Sequence, residues 1–250
     1  MSHPPVILIT GASGGVGQAA ALACARQGAR IAIAYQQNRT AADSLLASLP
    51  HGPHSVYQAD ISQPEQVETL IDAVHTTMGS LDVLVNNAGI SARFDVTSMS
   101  YADWQSTWQR IMDTNLTAAA NLSFCAAQRM MPAGGRIINV SSRGAFRGEP
   151  LMPWYGASKA GMNAMGQSLA QALGPHNVFV YTVAPGFIET PMAASVLEGA
   201  EGASIRQQSP LGRVAQPEEV AETIRYLALD APTFMTGSII DINGASYLRS

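Results

Sequence analysis

Short apolar runs alternate along the chain with longer amphipathic stretches. The apolar runs predict seven strands, at 6–10, 30–35, 55–58, 81–86, 136–140, 178–183 and 238–241. Five of them are rich in Val and Ile without polar alternation, which is typical of strands buried on both faces of a parallel sheet. The stretches between them predict helices at 15–27, 41–49, 64–78, 101–131, 155–173 and 217–229. This alternation predicts an α/β fold with helices on both faces of the sheet.

The alternation continues through the chain without a linker or a low-complexity segment. We therefore expect residues 1–250 to form a single, doubly wound domain that binds a dinucleotide and carries the catalytic residues. The least regular stretch is 186–212. Because long loops in compact domains are usually functional or mobile, we interpret 186–212 as a candidate substrate loop. An ordinary surface loop is the alternative.

Composition and charge argue against several classes of protein. Only 13% of the residues are charged, against about 25% in average proteins, and the net charge is −4 without a basic block. We therefore expect no nucleic-acid partner. No apolar run reaches the roughly 18 residues of a membrane helix, and the N-terminus lacks a signal-peptide pattern. Cys24 and Cys125 lie in apolar stretches, which favours free thiols and a cytoplasmic location, and no metal-binding pattern is visible.

A glycine-rich turn follows the first predicted strand. Residues 10–17 read TGASGGVG and lead into an alanine-rich helix. Glycines at such a turn let the backbone approach a phosphate, while N–H groups of the first helical turn point at the anion. The turn predicts a dinucleotide site. No Lys-Ser or Lys-Thr pair follows, so we do not expect NTP hydrolysis.

The residues after the second predicted strand bear on the choice of cofactor. An acidic residue about 20 positions after the glycines usually binds the 2′-hydroxyl of NAD. Residues 1–42 contain no Asp or Glu, and Arg39 follows shortly after Tyr35. Since an acid would repel a 2′-phosphate, this pattern favours NADP and leaves NAD possible. Arg39 is otherwise an ordinary exposed residue at the start of a helix.

Polar residues also follow the third and fourth predicted strands. Asp60 lies where a carboxylate accepts hydrogen bonds from an adenine amino group, and helix capping is the alternative. Asn86-Asn87-Ala88-Gly89 follows the next strand. Its small side chains and two amides suit a cofactor lying across the sheet edge, with a plain turn as the alternative.

A second group of candidate residues lies in the C-terminal half. Tyr155 and Lys159 are one helical turn apart on one face, and Lys159 is the only lysine. A nearby ammonium lowers a tyrosine pKa, which suits the tyrosine to general acid/base chemistry on an alcohol oxygen. Ser142 is positioned to orient a carbonyl oxygen. Asn115, a polar residue in an apolar helical segment, is suited to holding a water or kinking the helix.

Together these motifs resemble those of the short-chain dehydrogenase/reductase family over essentially the full chain. The matching motifs are TGxxxGxG at 10–17, NNAG at 86–89, Asn115, Ser142, YxxxK at 155–159 and Pro185-Gly186. Within the family the chain looks most like bacterial 3-oxoacyl-carrier-protein reductases and glucose or other sugar dehydrogenases. The resemblance implies a seven-stranded Rossmann sheet and metal-free hydride transfer between a nicotinamide cofactor and a small carbonyl or alcohol substrate.

The resemblance also implies a role for each motif residue. Tyr155 corresponds to the general acid/base, and Ser142 to the residue that orients the carbonyl. Lys159 would bind the nicotinamide ribose and lower the tyrosine pKa, while Asn115 would hold a relay water. Asp60 would bind adenine, and Ile188 and Thr190 the nicotinamide amide. The implied cofactor-binding set is Gly11, Ser13, Gly14, Gly15, Val16, Gly17, Tyr35, Arg39, Asp60, Ile61, Asn87, Ala88, Gly89, Tyr155, Lys159, Pro185, Gly186, Ile188 and Thr190.

Three features depart from the family pattern. Gly14 stands where NADP-using relatives often carry Arg, which weakens the NADP prediction. Asn243-Gly244-Ala245 stands where a double glycine is common. Arg143 and Arg147 follow Ser142 and favour an acidic or phosphate-bearing substrate if they face it. The simpler expectation is that both arginines point to solvent.

The sequence thus predicts an NAD(P)-dependent oxidoreductase that prefers NADP. One alternative is an NAD-dependent sugar or secondary-alcohol dehydrogenase. Another is a non-catalytic cofactor-binding regulatory protein, which has no need for Ser142, Tyr155 and Lys159. The low charge and the apolar residues of the helices at 101–131 and 155–173 predict a homotetramer, or at least a dimer.

Overall fold

Seven parallel strands form the central sheet of the computed structural model, which describes residues 3–249. In chain order they are β1 (Val6–Thr10), β2 (Arg30–Tyr35), β3 (Ser55–Gln58), β4 (Val83–Asn86), β5 (Gly135–Val140), β6 (Val178–Pro185) and β7 (Ile239–Ile242). Their order across the sheet is β3-β2-β1-β4-β5-β6-β7. The chain therefore reverses its direction of winding between β1 and β4. This arrangement confirms the predicted doubly wound, seven-stranded Rossmann fold.

Helices cover both faces of the sheet. They are α1 (Gly15–Arg26), α2 (Arg39–Ser48), α3 (Pro64–Met78), α4 (Tyr101–Met112), α5 (Ala118–Met130), α6 (Pro153–Leu173), α7 (Pro191–Leu197), α8 (Gly202–Gln207) and α9 (Pro217–Leu229). Buried residues of α1, α2 and α9 share one core with the sheet, and those of α3, α5 and α6 share the other.

The first strand shows why the apolar runs are continuous. All five residues of β1 are buried. Ile7 and Ile9 belong to one core, whereas Val6 and Leu8 belong to the other, since successive side chains of a strand point to opposite faces. Two helical layers therefore require apolar residues at every position of this strand.

The predicted single helix at 101–131 is wrong in one respect. The structure divides it into α4, a π-helical segment at Asp113–Thr117, and α5. A π turn contains more residues than an α turn; such turns are rare and are found frequently at functional sites. The middle of this segment is the candidate residue Asn115.

Several element boundaries also differ from the prediction. α2 begins at Arg39 because the Asn38 side chain accepts a hydrogen bond from the Ala41 N–H at 2.9 Å. α6 begins at Pro153, a residue suited to the first turn of a helix. The irregular stretch 186–212 contains α7 and α8, and Leu197, Ile205 and Val214 give it a small core of its own.

Within residues 3–249, no helix combines the length and the hydropathy needed to span a membrane.

Candidate active site

A cleft of about 850 Å³ opens at the carboxyl ends of the parallel strands. Open α/β sheets bind ligands at this edge, where the strand order reverses. Loops after six of the strands contribute to the cleft, so residues far apart in sequence meet there. Most of the predicted site residues line it: Gly11, Ser13, Gly14, Gly15, Val16, Tyr35, Asp60, Ile61, Asn87, Ala88, Gly89, Ser142, Tyr155, Lys159, Pro185, Gly186, Ile188 and Thr190.

The glycine turn between β1 and α1 forms one wall of the cleft. Gly11 and Gly15 have φ angles of +62° and +53°, which L side chains rarely adopt. Gly14, the N-cap of α1, supplies no side chain to accept hydrogen bonds from the first-turn N–H groups. Those groups remain available to an anion. The turn therefore fits a dinucleotide pyrophosphate.

Gly17 lies outside the cleft lining and has a packing role. A Cβ atom at this position would lie 2.5 Å from both the Gly11 oxygen and Asn87 Nδ2. The Asn87 amide donates to the carbonyl oxygens of Thr10 and Gly11 at 2.8 and 3.1 Å. Gly17 thus lets α1 pack closely against the junction of β1 and β4.

The residues that follow β2 and β3 contribute polar groups to another part of the cleft. Asp60 Oδ1 accepts hydrogen bonds from the Ser62 hydroxyl at 2.7 Å and the Ser62 N–H at 3.0 Å. The hydroxyl bond is the main reason that the pKa of Asp60 lies below its usual value. Asp60 is therefore held as a carboxylate that accepts further hydrogen bonds.

Arg39 does not line the cleft in this structure. Its Nε lies 2.8 Å from Asp43 Oδ2, and both side chains are about half exposed or more. The residues just before it, Gln36, Gln37 and Asn38, do line the cleft, although sequence analysis did not select them. Their polar side chains at the end of β2 are the signal that was available in the sequence.

Tyr155 and Lys159 enter the cleft from the first two turns of α6. Lys159 is 3% exposed, and its Nζ donates to the Val140 carbonyl oxygen at 2.8 Å and lies 5.8 Å from the centre of the Tyr155 ring. Because burial disfavours a charged ammonium, the pKa of Lys159 falls to about 8. The lysine and tyrosine are therefore neighbours, as their spacing predicts.

The pKa of Tyr155 differs from the prediction. The sequence predicts that Lys159 lowers it, but in the structure burial raises the pKa of Tyr155 above its ordinary value. A hydrogen bond with the Ser142 side chain opposes this increase, and the nearby Glu149 charge adds to it. Tyr155 is therefore protonated at neutral pH, and its proton is present for transfer to a substrate oxygen.

Ser142 begins a short 3₁₀ turn after β5. Its Oγ accepts a hydrogen bond from the Gly144 N–H at 3.0 Å, so its hydroxyl proton remains available to another acceptor. Ser142 and Tyr155 both line the cleft, and Ser142 is close enough to lower the pKa of Tyr155 in part. The pair can therefore contact one substrate oxygen.

Asn115 lies behind the cleft lining and is fully buried. Its Oδ1 accepts from the Ile90 N–H at 2.8 Å, and its Nδ2 donates to the Ile90 carbonyl at 2.9 Å and to Ser158 Oγ at 3.2 Å. A Cβ on Gly89 would lie 3.4 Å from Asn115 Oδ1 and 3.5 Å from Lys159 Nζ. Asn115 therefore ties the loop after β4 to α6, close to the lysine.

The expectation that Arg143 points to solvent is wrong. Arg143 is 3% exposed. Its guanidinium donates to Ser246 Oγ at 2.6 Å and to Gln208 Oε1 at 2.5 Å, and it lies 5.1 Å above the Phe187 ring. Sequence analysis could not detect this burial, because the partners come from distant parts of the chain.

Other lining residues were also missed. Arg110 and Thr114 reach the cleft from α4 and the π segment, one helical turn apart, and Met192 reaches it from α7. The four-residue spacing of Arg110 and Thr114 identifies them as lining residues only when it is known which face of the helix meets the cleft.

Comparisons with known proteins agree with this geometry. A family model described as enoyl-(acyl carrier protein) reductase matches residues 11–245. A 3-oxoacyl-[acyl-carrier-protein] reductase from Synechocystis sp. is 38% identical over 247 residues, covering 97% of both chains. A 3alpha-hydroxysteroid dehydrogenase from Mediterraneibacter gnavus is 35% identical over 246 residues, covering 96% of both.

A solved structure is similar over nearly the whole fold. A short-chain type dehydrogenase/reductase from Mycobacterium marinum superposes with a TM-score of 0.88 at 32% identity, covering 98% of this chain and 96% of that one. With the family model and the full-length relatives, this establishes the family. The chain belongs to the short-chain dehydrogenase/reductase family and is an NAD(P)-dependent oxidoreductase acting on CH–OH groups.

Proposed function

We propose that this protein is a carbonyl reductase that prefers NADPH and uses Tyr155 as its general acid. The observation that carries the proposal is the shared cleft: Ser142, Tyr155 and Lys159 line the same cavity as the glycine turn. A bound nicotinamide supplies the hydride in this chemistry. A reaction centre and a dinucleotide cradle in one cleft favour catalysis over a purely regulatory binding role.

The proposed roles follow from the hydrogen bonds. The Ser142 hydroxyl, whose oxygen already accepts from the Gly144 N–H, donates to the substrate carbonyl oxygen. Tyr155, protonated because burial raises its pKa, gives its proton to the same oxygen. Lys159, anchored on the Val140 carbonyl, holds the nicotinamide ribose and its charge favours the phenolate that remains. Asn115 fastens the adjoining loop and keeps a relay water close to the lysine.

The residues present fit a dinucleotide cofactor. The positive φ angles of Gly11 and Gly15 leave a backbone cradle without side chains, and the cleft runs from there to the catalytic residues. Asp60 would bind adenine, Asn87 to Gly89 the adenosine ribose, and Ile188 and Thr190 the nicotinamide amide. Residues 1–250 then act as one cofactor-binding and catalytic domain, and 186–212 as its substrate loop.

The preference for NADPH rests on Arg39 and on the lack of acids in residues 1–42. Both partners of this ion pair are solvated, and exposed ion pairs contribute little to stability, so Arg39 can leave Asp43 for a 2′-phosphate at little cost. The second candidate is an NAD-dependent dehydrogenase. It is favoured by the same ion pair, which turns Arg39 away from the cleft, and by Gly14, which lacks an arginine side chain.

Two further parts of the proposal concern the state of the protein. Phe124, which is exposed on α5, lies in the 101–131 region whose apolar residues predict an assembly, and it supports a homotetramer. Cys24 and Cys125 are both free, and burial raises the pKa of the Cys24 thiol to about 12, so it stays unreactive. Unpaired thiols support a cytoplasmic location.

Tyr155→Phe is the experiment that tests the proposed reaction. The variant retains the ring and removes the proton donor, so turnover falls by about 10²–10⁴-fold while cofactor affinity is unchanged. Rates with a panel of carbonyl substrates are followed by the absorbance of the reduced nicotinamide. Tyr181→Phe is the matched control, because Tyr181 is a buried residue of β6 outside the cleft lining, and its hydroxyl donates to the Pro232 carbonyl. Near-normal turnover in the Tyr155 variant would show that another group supplies the proton.

A further inference from the structure

A second cavity of about 250 Å³ lies next to the active-site cleft. Ser142 lines the cleft and the next residue, Arg143, lines the second cavity. In the same way, Gly186 lines the cleft and the next residue, Phe187, lines the second cavity. Because consecutive Cα atoms are about 3.8 Å apart, the backbone separation of the two linings at these positions lies within the length of a small substrate.

The charges lining the second cavity do not balance. Among the described residues, three arginines and two glutamates line it: Arg93, Arg143, Arg147, Glu149 and Glu201. Arg93 lies 2.8 Å from Glu201, and Arg147 lies 3.6 Å from Glu149. Arg143 has no carboxylate within salt-bridge distance in the part of the chain that the structure describes. The cavity therefore holds one uncompensated positive charge.

The surroundings of Arg143 make that charge costly. The side chain is buried, and burial lowers the pKa of Arg143 below its ordinary value. Its two hydrogen bonds, to Ser246 and Gln208, go to neutral oxygens and use two of its five N–H donors. A buried charge usually has a partner of opposite charge, because desolvation is otherwise uncompensated.

A second guanidinium converges on the same point. Nη1 of Arg147 donates to Gln208 Oε1 at 3.2 Å, and Nη2 of Arg143 donates to the same oxygen. A carboxylate or phosphate oxygen carries negative charge, so it attracts two guanidinium groups more strongly than a neutral amide oxygen does, and such pairs are frequently bidentate. The two guanidinium groups would thus bind an oxyanion more strongly than they bind the neutral Gln208 oxygen, and the oxyanion would take its place. Gln208 belongs to the 186–212 stretch.

We propose that the carbonyl substrate carries an anionic group, a carboxylate or a phosphate, that binds Arg143 and Arg147 in the second cavity. The inference rests on the proposed function, because the carbonyl of the same molecule contacts Ser142 and Tyr155. The two arginines thereby select acidic substrates over neutral carbonyl compounds of the same shape.

Matched substrate pairs test the proposal. One pair is a short 3-oxo acid and its methyl ester, and the other is a phosphorylated hydroxyketone and its unphosphorylated form. We expect kcat/KM to be at least tenfold higher for the anion in one pair, and that pair identifies the anion as carboxylate or phosphate. Arg143→Gln lowers kcat/KM for the anion about tenfold or more through KM and leaves the neutral substrate unchanged. Arg143→Lys retains part of the preference.

Controls separate a substrate role from a structural one. Arg26→Gln changes an exposed arginine of α1 far from the cavity and leaves both substrates unaffected. If Arg143→Gln fails to fold, Arg147→Gln tests the same site at a partly exposed side chain. Neutral substrates turned over as well as anions, or an equal loss for both in the arginine variants, would overturn the anion site and leave the proposed reaction intact. No reduction of any carbonyl would overturn both.

Discussion

Gly17→Ala tests whether close packing of α1 on the sheet edge shapes the cofactor site. The added Cβ would lie 2.5 Å from the Gly11 oxygen and from Asn87 Nδ2, and 3.0 Å from Ala12 Cα. Two of these atoms are backbone, and the amide can retreat only by giving up its bonds to Thr10 and Gly11. The substitution therefore has to move the glycine turn itself.

The magnitude follows from three contributions. Overpacking costs about 1–3 kcal/mol, and the two lost hydrogen bonds cost about 1 kcal/mol each. Ala in a helix regains about 1 kcal/mol relative to Gly. We expect a net loss of about 2–4 kcal/mol, with a fall in Tm of about 4–16 °C for a chain of this size, and loss of cofactor binding because the cradle is displaced.

Gly14→Ala is the matched control, three residues earlier in the same turn. Gly14 has an extended backbone with φ −171°, and a Cβ there meets no atom within 4 Å. We expect Gly14→Ala to cost no more than about 1 kcal/mol of stability. Its Tm therefore falls correspondingly less than that of Gly17→Ala. Calorimetry at fixed protein concentration gives both Tm values, and fluorescence titration gives cofactor affinity. Equal stability and affinity in the two variants would refute the packing argument.

Three further predictions concern charge and assembly. Isotope-labelled lysine gives one side-chain NMR signal, from Lys159, and we expect it to titrate near pH 8; a midpoint at the ordinary value of about 10.4 would contradict its burial. The unfolded chain keeps the lysine proton up to about pH 10.4, whereas the folded chain loses it near pH 8. Lys159 therefore makes the free energy of unfolding rise with pH between these two values. Arg39→Ala weakens NADPH binding without affecting NADH, whereas Asp43→Ala, which frees Arg39, tightens NADPH; tighter NADH binding by the unmodified protein would refute the preference. We expect light scattering to give a molar mass of four times 26.3 kDa, as for a tetramer. A fully active species with the mass of a single chain would refute the tetramer.

Much of the fold could be predicted because its determinants are local. The continuous apolar run of β1 reports burial on both faces, and the glycine turn at 10–17 carries its own backbone requirements. The YxxxK spacing in the same way places Tyr155 and Lys159 on one face of α6. Each of these patterns is contained within a few residues of chain.

What could not be predicted depends on contacts between distant residues. Arg143 is buried only because Gln208 and Ser246 come to it from 65 and 103 positions away. The raised pKa of Tyr155 results from burial in the folded cleft, which no spacing reports. The short helices α7 and α8 lack a long apolar period, since they pack on a core of three residues.

The π segment at Asp113–Thr117 fixes the length of the chain between α4 and α5. Each residue of a regular helix turns the chain by about 100°. Because a π turn holds one residue more than an α turn, deleting one residue here would let α4 and α5 close into one regular helix. The position of Asn115 would then turn by as much as that angle, away from its partners Ile90 and Ser158. Over evolutionary time this segment is therefore closed to changes of length and, at Asn115, to changes of residue type.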